Sequence, residues 1–211
     1  MEQKNISQAV IKRLPRYYRY LGDLLEKGVD RISSGKLSGL MNITASQIRQ
    51  DLNNFGGFGQ QGYGYNVPYL YEEIGKILAL DKKHKVAIIG AGNLGLAIAK
   101  NSDFKKRGFE VVAIFDKDED KIGMSVNGIV VRSSSEIPKF FEKTQFDIAA
   151  IAVPKERAIE SATALAKLRV KAFWNFAPTD LHLAKDVVVE NVHLTDSLMT
   201  LSYNMSNNKR K

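Results

Sequence analysis

Two hydrophobic patterns divide the chain. Up to about residue 80, apolar residues recur every three or four positions, which predicts amphipathic helices. From residue 85 onward, short continuous apolar runs alternate with helical patterns, which is typical of buried parallel strands in an α/β fold. The patterns therefore predict a small helical domain over residues 1–80, a short charged connection, and an α/β domain with a mostly parallel sheet over residues 85–192.

The N-terminal segment has the spacing of three helices. The first covers residues 12–27, where Pro15 either opens the helix or kinks one that begins near Ser7. A second, short helix follows Ser34, and a third opens at Thr44 with capping-box spacing. The polar face of this third helix carries Ser46, Gln47, Arg49, Gln50 and Asn53. Because such a face suits the reading of base edges in a major groove, the segment predicts a helix-turn-helix unit.

A glycine-rich stretch follows the third helix. Five glycines fall within nine residues from Gly56 to Gly64, interleaved with aromatic residues. The alternation of Phe58, Tyr63, Tyr65 and Val67, as in a strand, favours a β-hairpin, which would be the wing of a winged-helix domain, over the alternative of a flexible linker. In this stretch, Gln60, Gln61 and Tyr63 are predicted to contact DNA.

The second pattern begins with a dinucleotide-binding fingerprint. A buried strand over residues 86–89 leads into Gly90-x-Gly92-x-x-Gly95 and then into a helix. Gly90 permits the tight turn, Gly92 lets the backbone approach a pyrophosphate, and Gly95 lets the helix pack against the strand. The first N–H groups of that helix, at Asn93 and Leu94, are predicted to receive the phosphates.

Other predicted cofactor contacts lie where later strands end. The strand over residues 110–115 ends at Asp116, whose carboxylate is predicted to accept hydrogen bonds from the adenosine ribose and so to favour NAD(H). Lys117, directly after it, weakens that preference. The carboxyl ends of parallel strands meet at one edge of a sheet, which adds Val153, Pro154, Asn175 and Phe176 to the predicted NAD+/NADH site.

Charge and composition indicate the kind of partner and the cellular compartment. The chain of 211 residues carries a net charge of +8, with 13 Lys and Arg against 8 Asp and Glu over residues 1–85 and 18 against 15 over residues 86–211. The excess of positive charge in the first segment favours a polyanion such as DNA. The absence of cysteine excludes disulfides and thiolate chemistry, and the apolar runs are too short to span a membrane. We predict a cytoplasmic protein with no membrane partner and no metal site.

The C-terminal helix, predicted over residues 193–206, has an apolar stripe. The stripe is formed by Leu194, Leu198, Leu201 and Met205. Since the predicted sheet is already covered, the stripe predicts a partner subunit, and residues 207–211 are predicted to be a disordered tail.

From about Ile6 to Tyr203 the chain resembles the Rex family of bacterial redox-sensing transcriptional repressors. The matching motifs are Arg13-Leu-Pro-Arg-Tyr-Tyr-Arg-Tyr20, Gln47-Ile-Arg-Gln-Asp-Leu52, Gly64-Tyr-Asn-Val-Pro68, the glycine fingerprint, Asn175-Phe-Ala-Pro178 and Glu190-Asn-Val192. The resemblance implies a homodimer with exchanged C-terminal helices. It also implies two winged-helix heads on a palindromic operator, Arg13 and Arg16 among the DNA contacts, and release of the DNA when NADH replaces NAD+.

Some residues depart from the family pattern. Gln60-Gln61 replaces a basic pair at the wing tip, and Gln50 stands where a Lys often follows the recognition-helix Arg, so phosphate contacts are lost. In the family that the chain resembles, the redox relay is formed by an Arg, a Tyr and an Asp. In this chain the corresponding residues are Arg19, Asn101 and His193, with Asp196 one helical turn beyond.

Two alternatives to a redox-sensing repressor remain at this point. A dehydrogenase needs an acid/base group near the nicotinamide, and of the three histidines only His193 falls near the predicted cleft. It has no evident orienting carboxylate, so we predict no enzyme. The departures at Asn101 and His193 favour a second alternative, a paralogue that binds DNA and cofactor with a weak redox response.

Overall fold

The computed structural model describes residues 6–60 and 63–208, which form two compact units divided between Lys82 and Lys83. This division falls within the predicted charged connection between residues 80 and 85. However, the first strand of the second unit already begins at His84. The backbone N–H of His84 donates to the carbonyl oxygen of Gly108 (2.7 Å) and its ring stacks on Phe109, so this residue belongs to the sheet and not to the charged connection.

The first unit consists of five helices and a small antiparallel sheet, as far as the structure describes it. The helices are α1 Gln8–Ile11, α2 Leu14–Glu26, α3 Ser34–Met41, α4 Ala45–Asn53 and α5 Val67–Ile77. The strands β1 Arg31–Ile32, β2 Gly59–Gln60 and β3 Gly64–Asn66 lie in the order β1-β3-β2. The pairing of β2 with β3 confirms the hairpin predicted from the glycine-rich stretch, but β3 covers only Gly64–Asn66, so Tyr63 lies in a turn before it and Val67 begins α5.

The predicted first helix, over residues 12–27, is α2, which Pro15 opens as the first of the two alternatives states; the short helix α1 precedes it. Ser7 caps α1, and Pro15 lies in the first turn of α2, where a missing N–H costs nothing. The capping box predicted at Thr44 is half formed: the Thr44 hydroxyl accepts the backbone N–H of Gln47 (3.1 Å), but the Gln47 side chain donates to Asp51 instead of turning back. The turn between α3 and α4 passes through Asn42 in the left-handed conformation.

The apolar faces of α2 to α5 meet in one core. Its fully or almost fully buried members include Leu14, Tyr17, Leu21, Leu37, Met41, Ile48, Leu52, Leu70 and Ile74. Since Ile48 and Leu52 turn one face of α4 into this core, the opposite face of α4 is left at the surface, as helix-turn-helix readers require.

The second unit is a seven-stranded sheet in the order β10-β9-β8-β4-β5-β7-β6. The strands are β4 His84–Ile89, β5 Phe109–Asp116, β6 Ser125–Val126, β7 Ile129–Ser133, β8 Ile148–Ile151, β9 Ala172–Asn175 and β10 Val188–Asn191. All neighbours pair in parallel except β6, which pairs antiparallel with β7. The strand order reverses between β4 and β8, and a ligand crevice forms at such a reversal in doubly wound sheets.

Helices cover this sheet unevenly. They are α6 Asn93–Lys100, α7 Asp103–Lys106, α8 Ile137–Lys143, α9 Lys155–Lys167 and α10 Leu194–Asn208. Helices α8 and α9 pack on one face, and α6 packs on the other over β4 and β5. Beside α7 the second face has an open apolar cavity of about 410 Å³, lined among others by Val86, Phe109, Ile148, Trp174 and Val188.

Helix α10 is longer than predicted. It continues to Asn208, so Asn207 and Asn208 belong to the helix and not to a tail, while residues 209–211 lie outside the described part. Its apolar residues Leu194, Leu198, Leu201 and Met205 are all exposed within this chain. Among the helices described, none has the length and apolar character needed to cross a membrane.

Candidate functional site

The glycine loop lies between β4 and α6, at the reversal of strand order. Gly90 has a φ of +106°, and a Cβ there would lie 2.6 Å from the carbonyl oxygen of Ala152. A Cβ on Gly95 would overlap the carbonyl oxygen of Gly90, so only glycine lets α6 pack this close to β4. A Cβ on Gly92 would meet no described atom within 4 Å, which leaves the outer side of the loop open to a ligand.

Helix α6 begins directly after this open position. The N-cap of α6 is Gly92, which has no side chain that could accept a hydrogen bond from the first N–H groups of the helix. Asn93 and Leu94 are exposed in its first turn. The N–H groups of a first turn have no partner within the helix, and they lie at the positive end of its dipole. The arrangement is suited to a phosphate or pyrophosphate group.

Asp116 at the end of β5 is tied to the glycine loop. Its Oδ2 accepts the backbone N–H of Ala91 at 2.6 Å, and its Oδ1 accepts those of Lys117 at 2.7 Å and Asp118 at 3.0 Å. Burial alone would raise the pKa of this carboxyl, but the three backbone donors and the nearby Lys121 outweigh it and lower the pKa. The carboxylate therefore stays charged, braces the loop, and keeps lone pairs for a ligand hydroxyl.

A cavity of about 200 Å³ opens beside Asp116. It is lined at the carboxyl ends of the strands by Gly90, Asp116, Lys117, Ser134 and Val153, and by residues of α8 and α9. Two of its polar lining residues, Ser134 and Arg157, were not predicted from the sequence. Ser134 directly follows β7, which lies beside β5, and Arg157 lies in the first turn of α9, the helix that follows β8. The carboxyl ends of β7 and β8 were therefore the signal that could have found these two residues.

Asn175, predicted to contact the cofactor, is engaged by its own chain. It is fully buried, and its Nδ2 donates to the carbonyl oxygen of Thr179 (2.7 Å) and to Oδ1 of Asn191 (2.8 Å). Both amide hydrogens are therefore used inside the protein. Phe176 is half-buried and packs on Trp174 with ring centroids 4.5 Å apart.

In the first unit, the outer face of α4 presents three of the predicted DNA contacts. Ser46, Arg49 and Gln50 are exposed, and Nη1 of Arg49 donates to the hydroxyl of Ser34 at 3.1 Å. Tyr63, beside the wing, is 70% exposed. Gln61 lies outside the described residues, and of Gln60 only the backbone in β2 is described.

Three other predicted DNA contacts are bound internally. Asp51 of α4 is fully buried and accepts Nε and Nη2 of Arg13 at 2.6 and 2.8 Å, the hydroxyl of Tyr17 at 2.9 Å, and Nε2 of Gln47 at 2.8 Å. Arg16 donates to the carbonyl oxygen of Met41 at the end of α3 (2.7 Å). As DNA contacts, Arg13, Arg16 and Gln47 stay predictions; in the structure they hold α2, α3 and α4 together.

The charge state of this cluster follows from its hydrogen bonds. Burial alone would raise the pKa of Asp51, but the donors of Arg13, Gln47 and Tyr17 outweigh it and lower the pKa. For Tyr17, burial and the hydrogen bond to Asp51 both raise the pKa. Asp51 is thus a carboxylate with its partners fixed around it.

The residues in the relay positions have local partners. Arg19 is exposed in the first unit and lies 5.5 Å from the ring centroid of Tyr20. In the second unit, Oδ1 of Asn101 accepts the backbone N–H of Asp103 (3.0 Å), and Nδ1 of His193 is 3.6 Å from Oδ2 of Asp196. Nε2 of His193 is buried without a hydrogen-bond partner among the described residues.

Residues 6–60 and 63–208 hold no cluster of three or more His, Asp or Glu side chains that could bind a metal ion.

Comparison with known proteins covers nearly the whole chain. The family described as "Putative DNA-binding protein N-terminus" matches residues 5–53, and the "CoA binding domain" family matches residues 81–179. The redox-sensing transcriptional repressor Rex of Clostridioides difficile (strain 630) is 54% identical over 206 residues, covering 98% of both chains. That of Clostridium novyi (strain NT) is 52% identical over 204 residues, covering 96% of this chain and 97% of the relative.

Two solved structures match over the same length. The crystal structure of RSP in complex with beta-NAD+ and operator DNA has a TM-score of 0.92 and 50% identity, covering 98% of this chain and 95% of that one. The structure of RSP in complex with beta-NADH has a TM-score of 0.90 and 47% identity, covering 98% and 97%.

The full-length identity decides between a regulator and an enzyme. The relatives are transcriptional repressors that carry a dinucleotide-binding fold, so the prediction of a regulator and not a dehydrogenase is confirmed. The two family models match the two units of this chain in order, and the structure of RSP with beta-NAD+ and operator DNA superimposes over 98% of the chain. The chain belongs to the Rex family of redox-sensing transcriptional repressors.

Proposed function

We propose that this chain is a cytoplasmic repressor that binds a palindromic operator as a homodimer and releases it when NADH replaces NAD+. One observation carries the proposal: a winged helix with an exposed reading face and a sheet with an open glycine loop occur in one chain, which matches the NAD+ and operator complex of RSP over 98% of its length. A DNA reader and a dinucleotide site in one chain give the two functions that a redox-sensing repressor must connect.

The residues at the carboxyl edge of the sheet fit an NAD(H) molecule. The open side of Gly92 and the first turn of α6 would hold the pyrophosphate. Asp116 would accept the adenosine ribose hydroxyls, and the cavity beside it would take the adenine. NAD+ and NADH differ at the nicotinamide by one charge, so residues around that ring must discriminate between them.

On the DNA, we assign base and phosphate contacts to Ser46, Arg49 and Gln50 of α4. Arg49 is the one basic side chain in this group, and its hydrogen bond to Ser34 is on the surface and can be exchanged for a phosphate or a guanine. Arg13 and Gln47 then serve mainly to hold α4 in place through Asp51.

The dimer is proposed from the exposed apolar surface of the second unit. Leu198 of α10 is 65% exposed, and the open cavity beside Trp174 and Phe109 is almost wholly apolar. Exposed apolar patches of this kind mark interfaces. Exchange of α10 between two subunits would cover its apolar stripe, and we propose that the open face of the sheet is covered in the same assembly.

A second candidate is a family member that binds DNA and NAD(H) with a weak redox response. The observation that favours it is the local hydrogen bond of Asn101, whose Oδ1 accepts the backbone N–H of Asp103 in α7, together with a His at position 193. In this case both ligands bind, but NADH changes operator affinity little.

The test is an operator titration. A labelled palindromic operator from the upstream region of the gene would be titrated with protein by fluorescence anisotropy without cofactor, with NAD+ and with NADH, at one salt concentration. Release by NADH and not by NAD+ supports the redox-sensing repressor. Tight binding of both cofactors with equal operator affinity supports the second candidate, and failure to bind NADH refutes the sensor in both.

A further inference from the structure

A buried amide joins the end of β9 to the strand that leads into α10. Nδ2 of Asn175 donates to the carbonyl oxygen of Thr179 and to Oδ1 of Asn191, and its Oδ1 accepts the backbone N–H of Ala177 at 3.1 Å. Asn191 is the residue paired with Asn175 at the last position of β9 and β10. Its own Nδ2 donates onward to Asp180 at 3.2 Å.

Backbone hydrogen bonds extend this connection in both directions. The carbonyl oxygen of Asn175 accepts the N–H of Val192 (2.8 Å), two residues before α10 begins. On the other side, the N–H of Phe176 donates to the carbonyl oxygen of Ile151 (2.9 Å), the last residue of β8, which precedes the loop of Val153. A continuous chain of hydrogen bonds therefore runs from the cofactor edge of β8 to the base of α10.

The base of α10 has a large effect on where the helix points. Leu198, Leu201 and Met205 along the helix are each more than half exposed in this chain, so its own subunit gives these side chains little packing. Within its own subunit, the hydrogen bond of Val192 to Asn175 therefore anchors the chain to the sheet just before α10 begins.

We propose that Asn175 and Asn191 are a positioning pair through which a cofactor at the carboxyl edge of the sheet sets the direction of α10. The pair contacts no reacting atom; it connects the cofactor site to the helix that we assign to the dimer. This inference rests on the proposed function, since it describes how NADH would change the dimer that holds the operator.

The pair predicts a specific kind of defect. A ligand shifts an equilibrium only by its different affinity for the two states, and the connection between site and helix determines how far that difference reaches α10. Loss of the connection should therefore reduce the effect of NADH on operator binding and leave each separate affinity nearly unchanged.

Asn191 offers the test, because it is exposed and lies outside the proposed cofactor and DNA contacts. Asn191→Leu keeps the branching of the side chain at Cγ and removes its bonds to Asn175 and Asp180. The double variant D180N/N191D restores both bonds with the donor and acceptor groups of positions 180 and 191 exchanged. Asp186→Asn is the matched control, since Asp186 pairs with Lys171 at the opposite end of the same two strands.

Three quantities are measured on each full-length variant: the Kd for NADH, the operator Kd without cofactor, and the operator Kd at saturating NADH. The switching ratio is the last value divided by the second. In N191L we expect this ratio to fall about fivefold to tenfold, the effect of about one hydrogen bond, with the NADH Kd within about twofold of wild type. D180N/N191D should regain most of the ratio, and D186N should match wild type.

Each contrary result has a distinct meaning. An unchanged ratio in N191L, or a loss of NADH affinity as large as the loss of the ratio, overturns the positioning pair while the repressor function stands. Failure of the double variant to regain the ratio overturns it equally. A wild-type ratio of one refutes the proposed redox switching itself, before any variant is compared.

Discussion

The cluster around Asp51 gives the sharpest prediction for the first unit. In Asp51→Asn the shape of the side chain is kept, but the charge is removed and an amide donor faces the donors of Arg13 and Gln47. Removal of one partner of a buried ion pair costs about 3–5 kcal/mol, because the other charge is left unpaired. Since the Arg13 side chain is 26% exposed and can regain water, we expect a cost of about 3 kcal/mol, the lower end of that range.

The size of this effect makes it measurable in the whole chain. For a unit of this size, about 3 kcal/mol corresponds to a fall in Tm of about 12–24 °C. Seven of the eight tyrosines lie in the first unit and the single tryptophan, Trp174, in the second. The near-UV tyrosine signal and tryptophan fluorescence therefore follow the two units separately, and only the tyrosine transition should move.

Asp23→Asn is the matched control, because Asp23 is an exposed carboxylate on α2. Such surface changes shift stability by about 0.5 kcal/mol or less. Equal Tm values for D51N and D23N would refute the buried cluster as a source of stability.

Acidification provides an independent check on Asp51. Its pKa is lowered in the folded protein, so its contribution to the free energy of unfolding is present above the ordinary carboxyl pKa of about 4 and is lost as the pH falls through the folded value. The Tm difference between wild type and D51N should therefore narrow below about pH 4. A difference that does not change with pH would contradict an ionised Asp51.

Further predictions concern the cofactor site, the DNA face and the dimer. Gly92→Ala should have a Tm close to that of wild type, because its methyl group meets no described protein atom. It should bind NADH at least about tenfold more weakly, because the methyl group fills the space proposed for the pyrophosphate. Gly95→Ala, whose Cβ overlaps the Gly90 carbonyl oxygen, should instead lower the Tm of the second unit. Arg49→Ala should weaken operator binding by about 1–3 kcal/mol in anisotropy titrations, and an unchanged Kd would remove Arg49 from the interface. Leu198→Asp should shift the protein toward monomer in sedimentation velocity, whereas an unchanged dimer would show that this face of α10 is not covered.

Sequence patterns predicted the architecture well because the two units have strong, different periodicities. The glycine fingerprint between β4 and α6 and the end of β5 at Asp116 were both recovered, since each depends on neighbours within a few residues. Element boundaries were less accurate where a contact with another strand decided them. The stacking of His84 on Phe109 extends β4, and the short strand β6 depends on its antiparallel pairing with β7.

The roles of single polar side chains were harder to predict, because they depend on partners far along the chain. Arg13 and Asp51 are 38 residues apart, and nothing local distinguishes an arginine that braces a helix from one that meets a phosphate. Asn175 is similar: its place at a strand end predicted a cofactor contact, but its amide hydrogens are used by Thr179 and Asn191. Ser134 and Arg157 were missed because the pattern pointed to only some of the strand ends.

The most direct measurement of the central claim is the operator Kd of the wild-type protein in three conditions: no cofactor, saturating NAD+ and saturating NADH. The redox-sensing function predicts at least about a tenfold rise in Kd with NADH, which is about 1.4 kcal/mol of coupling, and little change with NAD+. An operator Kd that is the same in all three conditions, with NADH binding demonstrated separately, would contradict NADH-driven release.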